Sequence, residues 1–315
     1  MITALAGGVG AARMLSGLAA ATDPAGIVAV VNTGDDTLMH GLHVSPDLDT
    51  VVYTLAGKVN PETGWGLTGE TWSAMEQLRA YSNGRLGWFN LGDQDLGTHL
   101  YRTSRLEEGA TLSQVTAEIA ARWAVQVRVL PMTDSRVETR VLVKSDGGTT
   151  EDIAFQEYFV GRRHDVEVAG VQFRGVDQAV AAPGVIEAIE EADAVVICPS
   201  NPIVSIGPVL RTGGIADAVS ARRETSVAVS PIVAGRALKG PADRMLAELG
   251  HEPSVVGVAR MWAPYASSLV IDEADADLAG DVEAAGMRAV VAPTVMSGPA
   301  EARALAETVL ASVRR

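Results

Sequence analysis

The sequence predicts an α/β fold, a doubly wound, mostly parallel Rossmann-like sheet that carries an inserted α+β lid region. Short apolar runs recur at Ile2–Ala6, Ile27–Val31, Ala194–Cys198, Ser226–Val229 and Ala289–Val291, with Leu269–Ile271 as a further candidate. Their continuous hydrophobicity is that of strands buried on both faces. Several end in loop formers: Gly7-Gly8, Asn32-Thr33-Gly34, Pro199-Ser200-Asn201, Ser230-Pro231 and Asp272. An open parallel sheet binds ligands beyond the carboxyl ends of its strands, so these loops are expected to converge on one crevice.

Taken in order, the first strand runs into Gly7-Gly8-Val9-Gly10, a turn that opens a helix. Between about residues 45 and 190 the texture changes to several helices followed by strand candidates at Val125–Leu130, Val137–Val143, Ile153–Val160 and Val166–Phe173. This stretch reads as an insertion packed over the crevice of a single domain spanning residues 1–315. Its first helix begins at Ser45 as N-cap, with Pro46 at the first helical position and Asp47 in the first turn. A later helix opens on Thr111-Leu112-Ser113-Gln114, the spacing of a capping box. Pro299–Val313 reads as a surface-exposed C-terminal helix.

Lys and Arg number 25 against 39 Asp and Glu, a net charge of −14. That balance argues against a nucleic acid or an anionic membrane as partner, and any phosphate must be held locally. Cys198 is the single cysteine, which excludes an internal disulfide and a cysteine-based metal site and fits a reducing cytoplasm. No stretch reaches the roughly 20 apolar residues that span a bilayer, and Met1 leads into a strand without the pattern of a secretory leader.

The Gly-rich turn offers bare backbone N–H groups and a positive helix terminus to an anion, and it lacks the Lys-Ser/Thr of a P-loop. A tight turn for close helix–sheet packing explains the same glycines. Just downstream, Asn32-Thr33-Gly34-Asp35-Asp36 and Ser45-Pro46-Asp47-Leu48-Asp49-Thr50 concentrate four carboxylates. Adjacent carboxylates past a strand end suit a shared cation, Mg²⁺ above all. Asp47 also has a structural explanation, since an acidic residue in a first turn complements the helix dipole. Asp49 is expected to point to a different side of that turn, toward a substrate hydroxyl.

Trp65, Trp72 and Trp88, three of the five tryptophans, fall in the first part of the insertion, with Gly64 and Gly66 beside Trp65 and Gly87 beside Trp88. They serve either as core or, together, as a flat slot for a ring system. In Leu91–His99 polar groups are dense, and His99 is a base, a donor to substrate or a structural histidine. Arg13, Arg236 and Lys239 are either phosphate ligands or solvated surface residues.

In these segments the chain resembles the CofD/FbiA family of coenzyme F420 biosynthesis. The resemblance covers nearly the whole chain and rests on Asn-x-Gly-Asp-Asp, Pro-Asp-Leu-Asp-Thr and Pro-Ser-Asn-Pro, with Gly64-Trp65-Gly66, Leu91–His99, Arg102-Thr103 and Leu130–Asp134. It implies a transferase that joins the deazaflavin Fo to the phosphate end of a guanosine diphosphate ester of lactate or enolpyruvate, releasing GMP. On that reading Asp35, Asp36 and Asp47 hold Mg²⁺, and Asp49 and His99 serve the attack. Gly7, Gly8, Gly10, Asn32, Ser200, Asn201, Ser230 and Lys239 meet the nucleotide, while Trp65, Trp88 and Arg102 lie beside Fo. A homodimer is compatible with it. Gln94 and Gly97 stand where relatives often have Arg and Ala, and Ala11-Ala12-Arg13 tilts the donor toward enolpyruvyl. The alternative is a non-catalytic sugar-nucleotide-binding regulator of the related gluconeogenesis-factor family. An NAD-dependent oxidoreductase ranks third, because the turn is not a full G-x-G-x-x-G.

Overall fold

The computed structural model describes residues 1–145 and 148–313. The central sheet has strands β1 (Ile2–Ala6), β2 (Ile27–Val31), β3 (Arg128–Pro131), β4 (Ala194–Ile197), β5 (Ser226–Val229), β6 (Ser268–Ile271) and β7 (Arg288–Val291). They lie in the order β7-β6-β5-β4-β1-β2-β3, with every neighbouring pair parallel. β1 sits between β4 and β2, so the direction of winding reverses beside it and opens a crevice beyond its carboxyl end. The six predicted strands are all present within a residue or so of the expected bounds.

The first helices are α1 (Gly8–Ala21), α2 (Pro46–Leu55), α3 (Ser73–Ser82), α4 (Asp93–Glu107) and α5 (Leu112–Arg122). Gly10 is where α1 meets the sheet: a Cβ there would lie 2.3 Å from the Pro199 carbonyl oxygen. At Gly17 a Cβ would lie 2.2 Å from the Ala302 carbonyl oxygen, because the C-terminal helix Pro299–Val313 presses on α1. That helix buries Ala302, Leu305, Ala306 and Val309, which corrects the expectation that it is merely surface. The capping box at Thr111 is formed as expected, with reciprocal bonds between Thr111 and Gln114.

The insertion is less simple than predicted. Val125–Leu130 was expected inside it, yet the strand there is β3, which pairs with β2 and forms an edge of the central sheet. One part of the insertion therefore lies between β2 and β3, with a hairpin of Thr37–Met39 and Leu42–Val44 and helices α2 to α5. The other part lies between β3 and β4 and holds the antiparallel strands Glu138–Lys144, Thr150–Ala154 and Val168–Arg174. The predicted strand Ile153–Val160 stops at Ala154. Beyond it Glu157–Gly161 is helical, and Phe155 and Tyr158, three residues apart, are buried with Val204 and Met245.

Candidate functional site

Loops from both halves of the sheet and both parts of the insertion enclose one cavity of about 590 Å³. Gly7, Gly8 and Gly10 line it, as do Ser200, Asn201, Ser230 and Lys239. From α2 and α4 come Asp47, Asp49, Asp95 and His99, and Asp35 enters from the loop after β2. The crevice predicted at the strand ends is thus assembled.

Asp35 and Asp47 are both buried. Burial is the main cause that lifts the Asp35 carboxyl well above its ordinary range, with the nearby charges of Asp47 and Asp36 adding to it. Burial likewise pushes Asp47 up to about 6, against the Asn32 amide and the Gly8 N–H that favour its anion. Asp36 is also raised well above the usual range by burial. Among the described residues Asp35 Oδ1 and Asp36 Oδ1 are buried without a hydrogen-bond partner. Buried oxygens of that kind, on carboxyls that resist ionisation, fit a cation that would neutralise them.

The predicted trio is not a ready-made cage. Among the described residues the one group whose ligand atoms meet within 4.8 Å is Asp49, Asp95 and His99. That group already has a cation. Arg102 Nη1 donates to Asp49 Oδ2 at 3.1 Å and to His99 Nδ1 at 3.2 Å, while Nη2 grips Asp49 Oδ1. For Asp35, Asp36 and Asp47, a Mg²⁺ would need water or substrate oxygens to complete its shell, as Mg²⁺ commonly does. Asp36 is not in the cavity wall, and its Oδ2 accepts the Ser45 hydroxyl at 2.6 Å. Ser45 holds the N-cap position of α2 but spends its hydroxyl on Asp36 and caps no N–H.

Several sequence expectations change. Asn32 is fully buried behind the wall, where it donates to Asp47 Oδ2 at 2.9 Å and accepts the Gly34 N–H at 2.8 Å. It positions the turn and does not line the cavity. Arg102, expected beside Fo, is 2% exposed and lies outside the cavity wall, with Nη1 and Nη2 taken up by Asp49, His99 and the His43 carbonyl. Asp49 has both oxygens bound by Arg102, so it is already occupied as an acceptor.

Asn201 accepts the N–H groups of Ile203 and Val204 and caps the helical turn after β4. The Ser230 hydroxyl closes a local turn with Ile232. Ser200 keeps a buried hydroxyl with no partner among the described residues. Lys239 bridges to the Thr63 carbonyl at 3.1 Å, and partial desolvation, then the Arg13 charge, lower its pKa. Arg13 lines the cavity and holds the Met296 carbonyl at 2.9 Å, whereas Arg236 is exposed and lies outside the wall.

Trp65 and Trp88 line the cavity and remain 49% and 40% exposed, an unusual state for core residues. Trp72 is not in the wall. Phe89, Phe155 and Phe159 are, with Trp88 edge-on to Phe89 and Phe155 stacked on Phe159 at 5.5 Å. Sequence reasoning missed these three, as well as Tyr53 and Asp95. Aromatic spacing in 155–159 and the i, i+4 pair Asp95/His99 were the available signals. Gln94 is exposed and donates to the Gly69 carbonyl, Gly97 faces open space, and neither residue lines the cavity.

A family model described as 2-phospho-L-lactate transferase CofD matches residues 2–295. A phosphoenolpyruvate transferase of Streptomyces griseus is 46% identical over 313 residues, covering 98% of this chain and 97% of the relative. Proteins of the same name from Kitasatospora aureofaciens and Mycolicibacterium smegmatis are 44% and 41% identical, with 98% and 95% of this chain covered. Among solved structures, a UPF0052 family protein from Bacillus halodurans aligns over 98% of both chains with a TM-score of 0.61 at 18% identity. That likeness speaks for the fold alone. The match over nearly the full length, together with curated relatives above 40% identity, shows that this chain belongs to the 2-phospho-L-lactate transferase CofD family.

Proposed function

We propose that this chain is a transferase of coenzyme F420 biosynthesis that moves the phosphoenolpyruvyl group of a guanosine diphosphate ester to the ribityl hydroxyl of Fo and releases GMP. The observation that carries the reading is a single cavity lined both by a Gly-rich turn with buried carboxylates and by exposed aromatic rings. A donor diphosphate and a flat acceptor ring need those two linings in one space. The names of the relatives favour enolpyruvyl over lactyl.

In this mechanism the Gly-rich turn, the Ser200 hydroxyl, Arg13 and Lys239 hold the nucleotide's phosphates. Asp35 and Asp47 hold Mg²⁺, with Asp36 fixed behind them. The cation, when bound, neutralises charge on the phosphate oxygens. Trp65 and Trp88 cover the deazaflavin and exclude water from the attack. The ribityl oxygen forms a bond to the phosphorus that bears the enolpyruvyl group, and the bond to the bridging oxygen breaks with its electron pair leaving on GMP.

The direct test incubates the protein with Fo, Mg²⁺ and each candidate ester, then reads the product mass. Dehydro-F420-0 and GMP are the expected products. No turnover with any donor, with GDP still bound, would instead support the nucleotide-binding regulator.

Fo should quench intrinsic tryptophan fluorescence, and Trp65→Ala or Trp88→Ala should weaken Fo binding roughly tenfold while GDP binding stays near wild type. Equal losses for both ligands would assign these rings to packing.

A further inference from the structure

We propose that the Asp95 carboxylate takes the proton of the attacking hydroxyl, an inference that rests on the transfer reading above. Asp49, two residues beyond Asp47, has both oxygens bound by Arg102 and its side chain is 7% exposed. Asp95 lines the same cavity, and its side chain is 16% exposed. Asp95 Oδ2 takes no hydrogen bond among the described residues, so Asp95 is the carboxylate of this cluster that keeps acceptor capacity toward the cavity.

Its neighbours fix its state and aim. Tyr53 Oη lies 2.6 Å from Asp95 Oδ1 and 2.8 Å from Thr98 Oγ1. A phenol has one hydrogen, and a carboxylate has none to give, so Tyr53 donates to Asp95 and Thr98 donates to Tyr53. On the other oxygen, His99 Nε2 stands 3.3 Å from Asp95 Oδ2. Arg102 can only donate, so His99 Nδ1 accepts and the ring hydrogen is on Nε2, which stands on the side of Asp95 and makes no hydrogen bond among the described residues. The Glu70 carboxylate accepts the backbone N–H groups of Gln94 and Asp95 and so pins the first turn of α4. Burial opposes ionisation of Asp95, but His99, Tyr53 and Arg102 outweigh it and lower its pKa.

An ionised, partly satisfied carboxylate thus faces the cavity on a fixed helix turn. As the ribityl oxygen bonds to phosphorus and the GMP oxygen departs, the hydroxyl becomes acidic enough for a weak base, and its proton passes to Asp95. The resulting carboxylic acid returns the proton to water. His99 and Tyr53 are then positioning residues that act through Asp95.

The test pairs Fo with an Fo analogue that lacks the terminal ribityl hydroxyl. Loss of that hydroxyl should weaken binding to wild type roughly tenfold and binding to Asp95→Asn hardly at all. The single-turnover rate of Asp95→Asn should fall by about 10²- to 10⁴-fold with GDP affinity unchanged, and Asp95→Glu should recover part of it. An unchanged rate in Asp95→Asn overturns the proposal and leaves the transfer reading intact. A slowed Asp95→Asn that still feels the missing hydroxyl as wild type does also overturns it, because the side chain then acts only on structure. A wild-type protein that neither binds Fo nor turns over any donor overturns both.

Discussion

Asp35→Asn should melt at a higher temperature than wild type in chelator at pH 8, and should turn over roughly a thousandfold more slowly with Mg²⁺, the equivalent of about 4 kcal/mol in the barrier. The two effects share one cause. Asp35, Asp36 and Asp47 are all raised above the ordinary carboxylate range by burial, and Asp47 reaches about 6. A raised native pKa means that the native state holds protons which the unfolded state releases. For Asp47 the metal-free protein therefore loses stability as pH climbs from about 4 to about 6, and Asp35 and Asp36, raised in the same direction, add to that loss. A cation that binds only the folded state reverses the loss above pH 6. Thermal melts at pH 5 and pH 8, with chelator or with Mg²⁺, check this. Wild-type midpoints equal in all four conditions, or full activity in excess chelator, would remove the metal from these carboxylates.

The layout of the sheet was legible because each buried strand is a short apolar run with a loop signal at its end. Ile2–Ala6 and Ile27–Val31 were bounded to the residue. What escaped was pairing between distant segments. Nothing local in Val125–Leu130 says that it will lie beside β2 and not beside the antiparallel strands that follow it. At the site, Asp35 and Asp47 were legible as clustered acids near a Gly-rich turn. The partner of Asp49 was not, since Arg102 lies 53 positions away and on another helix. Trp65 and Trp88 announced themselves by composition, whereas Phe155 and Phe159 offered only their spacing and Phe89 enters the wall through the tertiary fold.

That distant pairing carries the second large effect. Arg102→Met should destabilise the protein by about 3–5 kcal/mol, because it leaves Asp49 as a buried carboxylate without its counter-ion. The guanidinium is 2% exposed and also holds the His43 carbonyl at 3.3 Å and His99 Nδ1 at 3.2 Å. Burial opposes its charge, yet the Asp49 carboxylate, with Asp36 and Tyr53 beyond it, outweighs burial and raises its pKa. Arg102→Lys keeps the charge but cannot span both Asp49 oxygens and His99 at once, and it should recover only part of the loss. The double variant Asp49→Asn/Arg102→Met should be more stable than Arg102→Met alone, since the penalty comes from the stranded charge and not from the missing attraction. Denaturant titration of the three variants in chelator isolates this term from the cation. Losses that simply add in the double variant would mean that Arg102 contributes through packing, with Asp49 solvated in the cavity instead of paired.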